Sequence, residues 1–297
     1  MKTLYVSDLD GTLLHADQHI SKYSLDTINT LIKSGMLFSY ATARSIHSAS
    51  IVTRGLELEI PVVTHNGVFV IDTKTRERII QNSFSAEEVR LVSGFLKEKK
   101  ISPLVYSFIK RTEKVSWLSG KENTGILAYL NSRKGDRRLR ETHDIDSLYN
   151  GEVFYFTCIG GEGELLPVYD HFHGQNAYNV ILQQDIYRPE YWCEIMPKKA
   201  TKAKAVLQMK KLFGCGWVVS FGDGINDIPL FEISDECYAM ANAVPELKEI
   251  ATGIIDTNDN DGVARWLAEN VNLPGYPRRL TGSQPARAKT CPNFLVR

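Results

Sequence analysis

The sequence predicts an α/β fold in which an inserted α+β segment interrupts a parallel-sheet core. Short apolar runs alternate with helically spaced apolar residues over residues 1–72 and again over the last third of the chain. Strands that alternate with helices are typical of a parallel sheet with helices on both faces. Strand-like runs dominate the middle, which is therefore expected to fold separately, and a chain of 297 residues is long enough for two domains.

The core elements follow in order along the chain. Leu25, Ile28 and Leu31 recur at helical spacing and predict the first helix, which Gly35 would end. The same patterns predict strands at 3–7, 37–41, 60–64, 217–221 and 237–240, and helices at 45–55, 201–213, 225–233 and 262–269.

The middle of the chain opens with a capping box from Ser85 to Glu88, which predicts the start of a helix. We expect the core to comprise residues 1–82 and 191–275, and the insertion to comprise residues 83–190. Within the insertion, a basic run fits either a solvated loop or helix face or a positively charged lip for an anionic substrate. The basic stretch 276–297 is expected to be a disordered tail without an assigned function. Strand-like runs in the middle lie at 101–108, 114–118, 151–159, 177–183 and 191–196, and the basic run lies at 133–144.

Composition excludes several classes of partner. The 35 Lys and Arg residues balance 35 Asp and Glu residues, so bulk charge gives no reason to expect nucleic-acid or membrane binding. The apolar runs fall short of the roughly 18 residues of a membrane span, and Asp8 interrupts the N-terminus early, so we expect a cytoplasmic protein. The five cysteines are scattered and contain no C-x-x-C pair, which argues against a disulfide framework and a zinc site.

Two carboxylates, Asp8 and Asp10, directly follow the first predicted strand. Ligands of a parallel sheet bind beyond the carboxyl ends of its strands, and carboxylates this close repel unless a cation or a shared proton intervenes. A plain Asp-Gly turn is the alternative. A calcium loop is excluded, because the sixth position counted from Asp8 is Leu13 instead of Gly and the twelfth is His19 instead of Glu.

Other predicted strand ends are polar in the same way. Thr42 and Arg44 follow the second strand, and Asp223 and Asp227 follow a later one. Four aspartates near one sheet edge require a hard divalent cation, for which Mg²⁺ is the natural candidate. Lys202 opens a predicted helix and adds a fixed positive charge. Carboxylates with Mg²⁺, a lysine and a hydroxyl suit a transferring phosphoryl group.

On these residues the sequence resembles the haloacid dehalogenase (HAD) superfamily, specifically the Cof-type phosphatases with a large cap inserted after the third core strand. The resemblance implies a Rossmann-like parallel-sheet core and an α+β cap domain that sets substrate specificity. It extends to about residue 272, with the cap matching only in length and layout. The matching motifs are Asp8-Leu9-Asp10-Gly11-Thr12, Thr42, Asn66-Gly67, Glu194-Ile195-Met196-Pro197, Lys202, Gly222-Asp223-Gly224-Ile225-Asn226-Asp227, Met240-Ala241-Asn242-Ala243 and Asp261-Gly262-Val263.

The resemblance implies a role for each core motif. Asp8 would be the nucleophile that forms an aspartyl-phosphate, and Asp10 would protonate the leaving oxygen and then activate water. Thr42 and Lys202 would hold the phosphoryl oxygens. The implied Mg²⁺ ligands are the side chains of Asp8 and Asp223 and the backbone carbonyl of Asp10, with Asp227 acting directly or through water. The implied substrate contacts are Thr42, Ala43, Asn66, Lys202 and Asn226.

Several positions have a structural interpretation beside the functional one. Asn66 also fits an Asn-Gly hairpin turn, Asn242 either supports the site or shapes a turn, and Asp261 is expected to cap its helix. Arg44 would form a salt bridge that organises the site. The family usually has glycine at three positions that carry side chains here, and these are expected to alter geometry or substrate fit more than activity. They are Ala43, Lys199 and Ala203.

Three function classes remain open on the sequence alone. Because Asp10 can activate water, hydrolysis is favoured over a phosphotransferase or mutase reaction, although mutases with this type of cap keep the same aspartate. Binding of a sugar phosphate without turnover is disfavoured because every core motif residue is present. We expect the substrate to be a sugar phosphate or another small phosphorylated metabolite, and the protein to be a monomer or a weak homo-oligomer. The candidates for substrate recognition in the insertion are His171, His173, Arg188 and Lys110.

Overall fold

The computed structural model describes residues 2–110, 112–185 and 188–273, which divide into two units. The core unit runs to Gln81 and resumes at Thr201, and the inserted unit is Asn82–Ala200. The expected first boundary is one residue away, whereas the expected second boundary near residue 190 is wrong. The strand Tyr191–Pro197 hydrogen-bonds with two strands of the inserted unit, so the chain returns to the core only at Thr201. The basic stretch 276–297 lies outside the described residues.

The core unit is built on a parallel sheet, which confirms the predicted fold class. Five parallel strands have the order β14-β13-β12-β1-β2, and a parallel bridge from Ala41 to Val63 places β3 beside β2. Strands β3, β4 and β5 form an antiparallel meander at that side. The core strands are β1 (Thr3–Ser7), β2 (Leu37–Tyr40), β3 (Val62–Thr64), β4 (Phe69–Ile71), β5 (Arg78–Gln81), β12 (Trp217–Gly222), β13 (Glu236–Met240) and β14 (Gly253–Ile255).

The inserted unit has its own six-stranded sheet with the order β10-β11-β9-β6-β7-β8. All its strand pairs are antiparallel except β7 with β8. Its strands are β6 (Leu104–Ile109), β7 (Thr112–Leu118), β8 (Leu139–Thr142), β9 (Glu152–Gly160), β10 (Tyr178–Gln184) and β11 (Tyr191–Pro197).

The helices fall into the same two groups. Within the described residues, every helix is too short or too polar to cross a bilayer. The core helices are α1 (Lys22–Lys33), α2 (Ile46–Val52), α7 (Lys202–Leu212), α8 (Ile228–Ile233), α9 (Pro245–Ile250) and α10 (Gly262–Asn270), and those of the inserted unit are α3 (Ala86–Glu98), α4 (Thr124–Ser132), α5 (Ile145–Leu148) and α6 (Glu162–Phe172).

Helix α1 shows how local sequence sets an element that frames the site. Ser21 caps its N-terminus by accepting a hydrogen bond from the Ser24 backbone N–H. Ile28 and Leu31 are fully buried in the core cluster that also contains Leu267 of α10. Burying a Leu or Ile side chain stabilises a fold by about 1.5–3 kcal/mol, so this face fixes α1 against the core.

Four cysteines within the described residues are buried and form no disulfide. Cys158 on β9 lies directly opposite Cys193 on β11 in the antiparallel ladder. Burial raises the pKa of Cys158 well above its ordinary value and raises that of Cys193 to about 12. Cys215 and Cys237 belong to the core unit. At neutral pH the two thiols of the inserted unit therefore stay protonated.

The basic run of the inserted unit is engaged in structural contacts. Arg138 donates to Glu113 at 2.9 Å and to Asp136 at 2.6 Å. Arg140 donates to the Ser116 hydroxyl and to the Ser147 carbonyl. These contacts give Arg138 and Arg140 partners within the inserted unit.

Two of the candidate recognition residues in the inserted unit also have structural partners. His171 stacks on Phe95 with ring centroids 3.8 Å apart, and His173 stacks on Tyr169 at 4.5 Å. Both histidines belong to the α6 region, and their rings pack within the inserted unit itself.

Candidate active site

The polar loops predicted at the strand ends come together because their strands are neighbours. Strand β1 lies between β12 and β2, and all three run parallel. Their carboxyl ends therefore meet at one edge of the sheet, where ligands of parallel sheets bind. The Asp8 backbone N–H donates to the Phe221 carbonyl at 3.0 Å, which continues the pairing of β1 with β12 into the first loop.

The loop after β1 is a wide turn built around a glycine. Its closing hydrogen bond runs from the Leu14 N–H to the Leu9 carbonyl at 2.8 Å. Gly11 has φ +70°, and a Cβ there would lie 2.2 Å from Oδ2 of Asp223. Thr12 donates its hydroxyl to Oδ1 of Asp223 at 2.7 Å. The turn thus packs directly on the Asp223 carboxylate, and only glycine leaves room for that contact.

Three carboxylates form the centre of the site, together with one lysine. Asp8, Asp223 and Asp227 each offer an oxygen within 4.8 Å of the others. Nζ of Lys202 lies 3.0 Å from Oδ1 of Asp8 and 2.7 Å from Oδ1 of Asp227. Only 6% of Asp8 and 2% of Lys202 are exposed. We call Asp8, Asp223 and Asp227 the acidic cluster.

The pKa values of two carboxyl groups in this cluster are raised above their ordinary value. Burial, and then repulsion from the neighbouring aspartates, raises the pKa of Asp8 well above its ordinary value despite Lys202. Burial and the Asp227 carboxylate raise the pKa of Asp223 to about 7. Burial alone would lower the pKa of Lys202, but Asp227 and Asp8 raise it instead, so the ammonium stays charged. A cation beside the carboxylates would relieve the repulsion.

Asp227 connects the lysine to the loop after β12. Its Oδ2 accepts hydrogen bonds from the backbone N–H groups of Asp223 and Gly224, both at 3.1 Å. Its Oδ1 accepts from Lys202, and the residue is completely buried. Gly222 makes room for it, since a Cβ there would lie 2.7 Å from the Asp227 carboxyl carbon. Asp227 therefore holds both Lys202 and the Asp223 backbone in position.

The Asp10 carboxylate is paired with Arg44. Nε and Nη2 of Arg44 donate to the two carboxylate oxygens of Asp10 at 2.7 and 2.6 Å. Arg44 also donates to the Ser48 hydroxyl and to Oε1 of Gln18. A bidentate arginine fixes a carboxylate in one orientation. The salt bridge expected for Arg44 is thus present, and the Asp10 side chain faces Arg44.

The predicted substrate contacts meet around the turn between β3 and β4. The Asn66 N–H donates to the Thr42 carbonyl at 2.9 Å, and Nδ2 of Asn226 donates to Oδ1 of Asn66 at 3.3 Å. Thr42 is 1% exposed, and its hydroxyl accepts from the Arg44 N–H. Ala43 lies between Thr42 and Arg44 in the sequence and is half-buried.

The hairpin interpretation of Asn66-Gly67 also holds in the structure. Strands β3 and β4 are antiparallel, and Asn66 and Gly67 both have positive φ values, +52° and +100°. A Cβ at Gly67 would lie 2.2 Å from the Thr201 carbonyl oxygen, so the turn abuts the start of α7. The close approach fixes the hairpin beside Lys202, the first residue of α7.

Two further motif residues support the first loop. Nδ2 of Asn242 donates to the Gly11 carbonyl at 2.8 Å, and its Oδ1 accepts from the Asn258 N–H. The sequence predicts that Asp261 caps α10, but its side chain makes no capping hydrogen bond with that helix, and the residue has φ +57°. Its Oδ1 instead accepts hydrogen bonds from the hydroxyls of Ser21 and Ser24. The helix-cap prediction is wrong because the carboxylate turns to the start of α1.

Sequence reasoning gave no role to Thr12 and Gln18. Thr12 donates to Asp223, and Gln18 accepts from Arg44. Thr12 stands inside the first motif, so its hydroxyl next to Asp8 and Asp10 was a usable signal. Gln18 had none, since its contact with Arg44 joins two loops that lie apart in sequence.

A parallel-sheet edge with clustered carboxylates, a buried lysine and a threonine defines an α/β enzyme of the phosphoryl-transfer type. The chain belongs to the haloacid dehalogenase-like hydrolases, whose family model matches residues 5–267. Two 5-amino-6-(5-phospho-D-ribitylamino)uracil phosphatases of Bacillus subtilis are 26% and 27% identical over 284 and 282 residues. The alignments cover 88% and 91% of this chain, and 95% and 98% of the relatives.

The solved structures agree with this assignment. The structure of a haloacid dehalogenase-like hydrolase from Bacteroides thetaiotaomicron matches with a TM-score of 0.72 at 26% identity. The match covers 89% of this chain and 98% of that chain. The protein is therefore an enzyme, a phosphatase of the haloacid dehalogenase family.

Proposed function

We propose that this phosphatase hydrolyses a small phosphate monoester with Mg²⁺, through an aspartyl-phosphate on Asp8. The contact of Lys202 with both Asp8 and Asp227, inside a cluster of three carboxylates, is the observation that carries the proposal. The carboxylates attract a cation, and the Lys202 ammonium attracts the phosphoryl oxygens. The carboxylates alone would repel the phosphoryl group, and the ammonium alone would repel the cation.

The donor set suits a hard divalent cation. The ligand atoms of Asp8, Asp223 and Asp227 are all carboxylate oxygens, which Mg²⁺ prefers, and burial together with repulsion among the aspartates raises the pKa values of Asp8 and Asp223. We infer that Asp8 and Asp223 hold the ion and that Asp227 supports it. The Asp10 side chain points to Arg44, so Asp10 would contribute through its backbone carbonyl. Bound Mg²⁺ supplies neutralisation of the phosphoryl oxygens.

In the first step, a carboxylate oxygen of Asp8 attacks phosphorus, and the bond from phosphorus to the ester oxygen breaks. Lys202 and the Thr42 hydroxyl stabilise the negative charge on the phosphoryl oxygens. Asp10 delivers a proton to the departing oxygen, which leaves as an alcohol. Arg44 holds Asp10 in one orientation through two hydrogen bonds.

In the second step, Asp10 takes a proton from a water molecule, whose oxygen attacks phosphorus. The bond between phosphorus and the Asp8 oxygen breaks, which releases inorganic phosphate and restores both carboxyl groups to their starting states. Asn66 and Asn226, joined by a hydrogen bond, are the proposed contacts with the substrate on the side of the β3–β4 turn.

The substrate class follows from the relatives and from the division of labour in the core. Two relatives are named as phosphatases of a phosphorylated ribitylaminouracil, which is a small phosphometabolite. The core motif residues serve the phosphoryl group, so selection of the leaving alcohol is assigned to the inserted unit. A panel of phosphorylated sugars and of ribityl phosphates, assayed with Mg²⁺ for phosphate release, identifies the substrate.

A rapid-mix experiment with p-nitrophenyl phosphate tests the roles of the two aspartates. This leaving group needs no proton, so Asp10→Asn should release up to one nitrophenol per active site and then slow by about 10²–10⁴-fold relative to the unchanged chain. Asp8→Asn has no nucleophilic carboxylate and should show no burst.

Asp146→Asn, in the inserted unit, is the matched control and should turn over as the unchanged chain does. A burst from Asp8→Asn would contradict the assignment of the nucleophile. Equal steady rates for Asp10→Asn and the unchanged chain would contradict the acid–base role. A product phosphorylated at a new position, instead of free phosphate, would indicate a mutase.

A further inference from the structure

A second group of metal-ligating side chains lies in the loop between β1 and α1. His15, Asp17 and His19 each offer a ligand atom within 4.8 Å of the others. Nδ1 of His19 contacts a carboxylate oxygen of Asp17, and the rings of His15 and His19 are 5.4 Å apart. The proposed reaction uses none of these side chains. We propose that they bind a divalent transition-metal ion of the Zn²⁺ class.

The backbone of the loop brings the two histidines together. The His15 N–H donates to the His19 carbonyl at 3.0 Å, and the Gln18 N–H donates to the His15 carbonyl at 2.9 Å. Gln18 has φ +64°, which reverses the chain between the two histidines. The Gln18 side chain accepts a hydrogen bond from Arg44 at 2.9 Å, and this contact fixes the tip of the loop.

The segment before α10 anchors the other side of the loop. Nδ2 of Asn258 donates to the Leu14 carbonyl, and the Ala16 N–H donates to Oδ1 of Asp259, both at 2.8 Å. A loop tied at several backbone positions has little conformational entropy left to lose when its side chains bind an ion. The ligand set is therefore largely preorganised.

His15 has the outer partner that metal-binding histidines usually have. Its Nε2 lies 3.1 Å from Oδ1 of Asp261, and the same oxygen accepts hydrogen bonds from Ser21 at 2.5 Å and Ser24 at 2.8 Å. A histidine that binds a metal through one ring nitrogen typically donates its other N–H to a carboxylate. Asp261 therefore orients the His15 ring, whose ligand atom lies within 4.8 Å of those of Asp17 and His19.

The chemistry of the ligands selects the ion. Two imidazoles and one carboxylate suit Zn²⁺ and similar transition metals, whereas Mg²⁺ prefers the all-oxygen acidic cluster. Asp17 and His19 are 65% and 57% exposed, so an ion reaches them from solvent and water completes its coordination. The cysteine spacing, which argued against a zinc site, has no bearing on histidine ligands.

The test is a titration of the metal-free full chain with Zn²⁺ against a chromophoric chelator, in buffer that contains Mg²⁺. The unchanged chain should bind one equivalent of Zn²⁺ that Asp223→Asn retains. His15→Ala and His19→Ala should each weaken this binding by at least about 100-fold, and Asp261→Asn by about 10–100-fold. The matched control is His143→Ala, which removes an exposed histidine of the inserted unit and should leave binding unchanged.

The variants also separate the proposal from its alternatives. Circular dichroism should show that His19→Ala folds as the unchanged chain does, since His19 is exposed. Absence of a bound equivalent, or unchanged affinity in both His15→Ala and His19→Ala, overturns the proposal. Loss of the equivalent in Asp223→Asn also overturns it, because the ion then belongs to the acidic cluster.

Discussion

Replacement of Lys202 by methionine should lower the free energy of unfolding far more than the loss of an exposed salt bridge would. Lys202→Met keeps the length of the side chain but leaves Asp8 and Asp227 without the ammonium that lies 3.0 and 2.7 Å from their oxygens. Loss of one partner of a buried ion pair costs about 3–5 kcal/mol, because the remaining charge stays buried and unpaired. The free energy of unfolding of an ordinary domain is about 5–15 kcal/mol, so the variant should remain folded but with a much smaller free energy of unfolding.

Lys210→Met on the same helix is the matched control. Lys210 pairs with Asp235 at 3.0 Å, but the two side chains are 23% and 27% exposed. Pairs with access to solvent contribute about 0–1 kcal/mol, so this variant should lose at most that amount. Denaturant unfolding of the two variants and the unchanged chain, at constant pH and without Mg²⁺, measures the difference.

The pH dependence of the Lys202→Met loss tests its electrostatic origin. Burial raises the pKa of Asp8, so an ionised Asp8 destabilises the folded state above that pKa. Below that pKa the carboxyl group is protonated and this destabilisation is absent. The loss in Lys202→Met should therefore shrink as the pH falls, because Asp8 takes up a proton and the unpaired charge disappears. A loss that is equal in Lys202→Met and Lys210→Met, or one that does not change with pH, would refute this reasoning.

Three further outcomes follow from the same geometry. In denaturant unfolding, Gly67→Ala should destabilise the protein by at least about 2 kcal/mol more than Gly35→Ala. Both glycines have φ +100°, but only at Gly67 would a Cβ clash with the backbone, at 2.2 Å from the Thr201 carbonyl oxygen. Equal losses of unfolding free energy would contradict the close approach to α7. The activation constant for Mg²⁺ should rise about tenfold per pH unit below the Asp223 pKa of about 7, because the ion must displace a proton, and a constant independent of pH would exclude Asp223 as a ligand. Arg44→Lys should lower the single-turnover rate of the first step for a sugar phosphate at least about tenfold more than that for p-nitrophenyl phosphate, because in that step only the sugar needs the proton that Asp10 delivers. An equal reduction of the first-step rate for both substrates would assign Arg44 a different role.

The core site was largely predictable because its information is local. An apolar run followed directly by Asp8 or Asp223 predicts both the strand and the polar loop residue from one short stretch of sequence. Parallel neighbours then bring their carboxyl ends together without any further specification. The proximity of Asp8 and Asp223 follows from this rule.

What the sequence could not predict depends on pairing between distant segments. Strand β11 reads as an apolar run whether it joins the core sheet or the inserted sheet, and only its ladder with β9 and β10 decides. The same holds for Asp261, whose position before α10 suggests a cap, whereas its partners Ser21 and Ser24 lie more than two hundred residues away.

The buried thiols give each unit its own chemical reporter of opening. Cys158 and Cys193 lie in the inserted unit, and Cys215 and Cys237 lie in the core unit. Alkylating reagents attack an accessible thiolate, so each pair becomes labelled only when its own unit unfolds. In a Cys291→Ser chain, mass spectrometry of the labelled protein across a denaturant series therefore reads the two units separately. In the Lys202→Met variant, labelling of Cys215 and Cys237 should begin at lower denaturant than in the unchanged chain.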